Sequence, residues 1–386
     1  MNSKRFKWVI ISIISFTFLF NMGISFAYWA SSIQSDADTG IGTLSIGTWD
    51  MLPPGYVGVS QDGIGSFITL DEIGTTNYPL TGNYILVSNI NWNNAAFTPI
   101  GGASGTFSGI FLGNGYVISN INITTVQSHV GLFARNSGTI TGLSLTGLTL
   151  SVSTAVDTFA GGIVGANTGT ITKSYVTGTL TVSSTIESSV NPAFNYVYAG
   201  GIAGTNSGTI SDSHAGVNVS ASLSVNVQGG NRQSNALTYA GGLVGRNTVF
   251  EGVMRTYATG TVSSSATATA NGNSTGNATA YSGGLVGHST VSGGVKFGFA
   301  TGNVTYVTAG KTTNTRFVGG LNGLGDATNG YRLSTQTVTG ATNSIGSSAT
   351  EANLKSEAFV TANLSFNTND WSFDGTNYPR IIGNSY

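Results

Sequence analysis

The sequence predicts an all-β chain wound as a parallel β-solenoid of roughly 30–40-residue repeats. Three observations carry this. First, hydrophobic residues reach 40% and charged residues only 8%, while Gly, Ser, Thr and Asn supply most of the rest. Many β-branched residues with turn formers and few helix formers favour strands joined by tight turns. Second, a glycine-rich stretch recurs: FAGGIVGANT at 159, YAGGIAGTNS at 198, YAGGLVGRNT at 239, YSGGLVGHST at 281 and FVGGLNGLGD at 317, after a degenerate HVGLFARNSG at 129. Third, aligning the copies gives columns of like residues. Stacked coils require this, because equivalent residues then lie one strand spacing, about 4.8 Å, apart.

The chain opens with Lys4, Arg5 and Lys7, an apolar run from Trp8 to Ile24, and a small-x-small exit at Ser25-Phe26-Ala27. This is the layout of a secretory leader over 1–27, so the chain is expected to be secreted or held at the cell surface. Membrane contact is expected only if the leader is retained. Removing the leader leaves 11 of 14 basic residues and all 15 acidic ones, a net charge near −4. Such a chain has no basic footprint for nucleic acid. The absence of cysteine excludes disulfides and thiolate metal sites. Residues 28–64, broken at Pro53-Pro54, read as a linker or short N-terminal segment, and 65–383 as the solenoid.

Within the solenoid the second glycine of each copy falls at 131, 162, 201, 242, 284 and 320, in steps of 31, 39, 41, 42 and 36. A constant unit with variable inserts fits these steps. The inserts, such as STIESSVNPAFN and SSATATANGNSTGNATA, read as surface loops. Residues 184–197, 221–238 and 263–281 are therefore the expected contact loops. Gly162, Gly201, Gly242 and Gly284 read as turn and close-packing positions. Asn136, Asn167, Asn206 and Asn247 read as a turn ladder, and Tyr175, His214, Tyr257 and Phe299 as an aromatic column. Two inward columns read Leu180, Val219, Val262, Val304 and Ile171, Ile210, Val253, Val295. Beside the first lie outward positions Thr179, Thr181, Asn218, Ser220, Thr261, Ser263, Asn303 and Thr305, a candidate polar binding face.

The pattern GG[IL]VGxN, then GTI, then SY-x-TG-x-[LV], complete in GGIVGANTGTITKSYVTGTL at 161–180, resembles the GLUG repeat of bacterial cell-surface proteins. The flanks NYILVSNINWNNAAFTPIGG at 83–102 and NDWSFDGTNYPRIIG at 369–383 resemble the opening and closing segments of such solenoids. The resemblance implies a right-handed, pectate-lyase-like β-helix that is exported and often surface-attached. Some immunoglobulin A metallopeptidases carry this repeat beside a zinc domain. The His-Glu-x-x-His motif of that domain is absent here, so its protease activity does not carry over. Ser289 and Gly325 depart from the repeat at its asparagine.

Little else in the chain points to chemistry. No lysine or helical pattern follows any glycine-rich copy, which excludes a nucleotide loop. His129, His214 and His288 stand apart; His214 belongs to the aromatic column and His288 reads as a solvent-facing turn residue. Glycoside hydrolysis needs paired carboxylates. The nearest to a pair are Asp212 and Glu251 on adjacent repeats, with Arg232, Arg246 and Arg255 as basic companions. No cofactor, metal or catalytic residue is expected. The expected role is structural or adhesive, toward a surface glycan or protein reached through the inter-repeat loops. The alternatives are a carbohydrate-active enzyme and ice binding.

Overall fold

The computed structural model describes residues 52–386 apart from 190, 229, 230, 344, 345 and 385. The leader at 1–27 and most of the segment 28–64 lie outside the described residues. The described chain is an all-β parallel β-helix with one repeat per coil. Each coil crosses three parallel sheets. Tyr175–Ser188, for example, lies in an 18-stranded sheet, Ala193–Gly200 in a six-stranded second sheet, and Ala203–Asn206 in a six-stranded third sheet. The one antiparallel pair among the described strands joins Trp371–Ser372 to Arg380–Ile381.

One column traces the whole stack. Val57, Tyr84, Phe111, Ile140, Ile171, Ile210, Val253, Val295 and Ala327 are successive partners in parallel register. Among the described residues coil pairing therefore begins at Tyr56, within the segment 28–64, and ends with Ser347–Ala349 against Tyr331–Leu333. The second inward column also holds: Leu150, Leu180, Val219, Val262 and Val304 are partners, each at most 2% exposed.

The repeat glycines sit where coils touch. A Cβ on Gly162 would lie 2.4 Å from the carbonyl oxygen of Gly201, and on Gly201, Gly242 and Gly284 it would lie 2.1–2.2 Å from the corresponding carbonyl of the next coil. Any side chain there would push two coils apart. Beside them the asparagines form a buried ladder. Asn136 Nδ2 donates to Asn167 Oδ1 at 2.8 Å, Asn167 to Asn206 at 2.8 Å and Asn206 to Asn247 at 2.9 Å. Each amide also closes its own turn, as in Asn206 Nδ2 to the Gly208 carbonyl at 3.0 Å. The ladder stops at Ser289, whose hydroxyl reaches only the Val291 carbonyl.

The inserts are strands, which corrects the loop reading of 184–197, 221–238 and 263–281. Tyr175–Ser188, Thr209–Val227 and Val262–Ala270 run outward along the first sheet; Ala193–Gly200, Gln233–Gly241 and Thr275–Gly283 return along the second. The two sheets form a wing with a dry interior of Val182, Ile186, Leu223, Val225, Ala266, Ala268, Ala278 and Ala280. Alternation explains it. In SATATA the alanines point in and the threonines out, so a segment of loop-like composition builds a strand with period two.

Residues 351–386 leave the coil path. Helices α1 (Glu351–Lys355) and α2 (Glu357–Leu364) are N-capped by Thr350 and Ser356. Leu354, Val360, Leu364, Phe366, Trp371 and Ile381 form a second core with Tyr175, Tyr257 and Phe299. The C-terminal segment thus covers the outer side of the aromatic column.

Asn206→Ala removes both ladder bonds of the central asparagine. With buried groups left unpaired at about 1–3 kcal/mol each, it is expected to destabilise the chain by roughly 2–4 kcal/mol. Outer-face Thr181→Ala is expected to stay within about 0.5 kcal/mol. Urea unfolding of the two variants checks this; equal midpoints would refute the ladder's role.

Candidate functional site

The eight predicted face positions, Thr179, Thr181, Asn218, Ser220, Thr261, Ser263, Asn303 and Thr305, are all exposed on the first sheet. Six of them lie in register on strands, in the rows Thr149–Thr179–Asn218 and Ser151–Thr181–Ser220–Ser263–Thr305, while Thr261 and Asn303 immediately precede the strands Val262–Ala270 and Val304–Gly310. The wing extends the face sideways with Ser183, Ser222 and Ser265, then Thr185, Ser224 and Thr267. Oxygens therefore repeat about 4.8 Å across the strands and about 6.7 Å along them. Glu187 is the one charged residue in these rows. Some positions are tied to their neighbours: Thr261 Oγ1 donates to Asn218 Oδ1 and Thr269 Oγ1 to Asn226 Oδ1, both at 3.0 Å.

The acidic candidates are each engaged. Asp212, 5% exposed, takes a two-pronged bond from Arg255, Nε to Oδ1 at 2.6 Å and Nη2 to Oδ2 at 2.7 Å. That bond raises the Arg255 pKa. Glu251 is ion-paired with Lys296, and Arg232 donates to the Ser189 carbonyl. Asp212 and Glu251 thus bond different cations. No group of three or more His, Asp or Glu side chains suited to a metal gathers among the described residues.

The predicted aromatic column is present. Tyr175, His214, Tyr257 and Phe299 stack at 4.9, 4.5 and 4.6 Å, and Tyr386 stacks on Tyr175 at 4.5 Å. Tyr257 donates its hydroxyl to the Pro379 carbonyl at 2.7 Å. His214 Nε2 meets the Tyr386 hydroxyl at 3.2 Å. Burial, with the nearby Arg380 charge, lowers the His214 pKa to about 3, so its ring is neutral.

A second column lies outside the second sheet, formed by the ring that opens each aligned glycine-rich copy. His129, Phe159, Tyr198, Tyr239, Tyr281 and Phe317 stack at 4.4–5.0 Å. His288, read from sequence as solvent-facing, is half-buried on a strand, its ring 4.9 Å from Tyr281 and 5.9 Å from Tyr239. Burial and then Arg246 lower its pKa to about 4. Burial likewise pushes Tyr198 up to about 12 and Tyr239 well above the ordinary phenol value. The signal in the sequence was the aligned column Ala166, Thr205, Arg246, His288, which lies beside the aromatic one.

No family model, curated protein or solved structure matches this chain. Among the described residues no helix is long and apolar enough to cross a membrane.

The buried histidine gives a pH test. His214 binds its proton near pH 6.5 when unfolded and near 3 when folded. Its contribution to stability is therefore present above about pH 6.5 and is lost as pH falls from there toward 3. At pH 4.5 the loss is about 2–3 kcal/mol. His214→Phe, which keeps the stack, is expected to retain more of its neutral-pH melting temperature at pH 4.5 than the parent chain. An equal acid-induced drop in both would refute this.

Proposed function

We propose that the chain is a secreted or surface-displayed β-solenoid with a structural, adhesive role, and that it performs no catalysis. It offers its polar sheet face to a host, matrix or glycan partner. The observation that carries this reading is the outward Ser/Thr/Asn array, which runs in register from coil to coil and widens onto the wing. A low-charge hydroxyl surface on a rigid sheet forms many weak hydrogen bonds at once, and multivalent contact of this kind accumulates without any deep pocket. The GLUG resemblance and the secretory layout of residues 1–27 support display outside the cell. The pairing of Asp212 with Arg255 and of Glu251 with Lys296 supports a non-catalytic role over the carbohydrate-active alternative, because neither carboxylate is left for proton transfer.

The two-dimensional regularity of the hydroxyl rows also favours a second reading, adsorption to an ordered water lattice. Thermal hysteresis in solutions of the exported protein distinguishes the two, and the adhesive reading expects none.

Replacing Thr181, Ser220, Ser263 and Thr305 together by glutamate sets like charges on adjacent strands of the face. The variant, checked for an intact fold by its melting curve, is expected to lose most of its retention in the cell-surface fraction. Alanine substitutions at Asn271 and Ser274 in the wing tip are expected to leave retention unchanged. Undiminished retention of the glutamate variant would end the assignment of this face.

A further inference from the structure

The second aromatic column and the column beside it meet at an inside corner. The corner is concave because outward side chains of two consecutive sheets touch: the His288 ring lies against Tyr239 and Tyr281, and the Arg246 guanidinium lies beside the Tyr198 hydroxyl. Tyr198 and Tyr239 are accordingly only 6% exposed, although they face away from the core. Arg246 and His288 are partners in register, and Arg135 lies on the same line through Ala166 and Thr205.

Arg246 is the unusual member. No ion pair among the described residues includes it or Arg135. Its Nε is buried with no hydrogen-bond partner, as is Nδ1 of His288 one strand away. Asp157, whose charge acts on Tyr198, already accepts from Asn195 Nδ2 and the Tyr196 amide. A half-buried guanidinium without an anion is unfavourable, and a carboxylate restores the two-pronged geometry that Arg prefers.

We propose that this corner binds a uronate-rich glycan lying along the coil axis, with one sugar carboxylate on Arg246. Stacking is not the mode of contact. The rings cover one another's faces at 4.4–5.0 Å, so only edges are left to a ligand, and the hydroxyl edges are those of Tyr198, Tyr239 and the more open Tyr281. Those phenols stay protonated at neutral pH and exchange hydrogen bonds with sugar hydroxyls, which suits a glycan better than an acidic peptide. Arg135 stands three strand steps, about 14 Å, from Arg246. A polymer with an anion on every residue reaches both cations in any register.

This inference adds a chemical class to the glycan partner proposed above but uses a different surface. Calorimetry on the exported protein tests it with hexameric mannuronate, cellohexaose and hexaglutamate as probes. Saturable binding of the mannuronate is expected, with no binding of cellohexaose. Arg246→Gln is expected to weaken mannuronate about tenfold or more, the scale of one charge-assisted bond. Should that variant fail to fold, Arg135→Gln at the far end is expected to weaken binding by a smaller factor. Absent mannuronate binding, equal binding by the folded variants, equal binding of cellohexaose, or hexaglutamate binding at least as tight would each overturn the proposal. Glutamates on the polar face leave this corner untouched, so failure of one assignment is separable from failure of the other.

Discussion

Everything in this molecule depends on holding each coil one strand spacing from the next. Two devices enforce it, one at each end of the short third-sheet strands. The glycines at 162, 201, 242 and 284 let a backbone approach the carbonyl of the following coil to a distance no Cβ permits. The asparagines five residues later, Asn167, Asn206 and Asn247, hold the coils at that spacing with side-chain amide bonds of 2.8–2.9 Å that run from coil to coil. Each amide satisfies a turn carbonyl and a neighbouring amide at once. The turn therefore stays dry without stranding polar atoms. With the coil spacing fixed, register follows for all three sheets, and like residues stack as columns.

How much of this was legible in the sequence follows from the same constraint. Positions that touch across coils must repeat, so the glycines, the asparagines, the inward aliphatics and Tyr175–His214–Tyr257–Phe299 could be read from aligned copies. Features that do not repeat left weaker traces. The wing was hidden because alanine and serine, residues whose abundance reads as loop, fill much of its interior beside Val182, Ile186, Leu223 and Val225; the alternation in SATATA marked a strand. The C-terminal docking was hidden for a different reason. Nothing in Trp371 or Tyr386 states which column it will cover, and the contact joins residues 211 positions apart in Tyr175 and Tyr386. Among the described residues there are two outer aromatic columns, and one of them is covered by the C-terminal segment.

That difference separates the two columns chemically. Around Tyr175, His214 and Tyr257 the C-terminal segment brings its own partners. Lys173 finds Asp370 at 2.6 Å and Tyr257 finds the Pro379 carbonyl, while Arg255 is matched by Asp212 of the coil itself. Lys173 and Arg255 are thereby neutralised, and Arg380 lies over the Tyr386 ring. Around Tyr198, Tyr239 and Tyr281 no segment arrives among the described residues. Arg246 stays without an anion, and polar atoms of Arg246 and His288 stay unpartnered.

The polar face and the corner also differ in what they can discriminate. Rows of Ser and Thr hydroxyls form individually weak bonds with any hydrogen-bonding surface, so selectivity there rests on flatness and repeat. A guanidinium in a concave, partly dry setting discriminates by charge, because the desolvation it has already undergone is offset only by an anion. A solenoid supplies both kinds of surface without altering its core. Outward positions are free to vary once the inward columns and the coil spacing are fixed, and register then multiplies each outward choice along the axis.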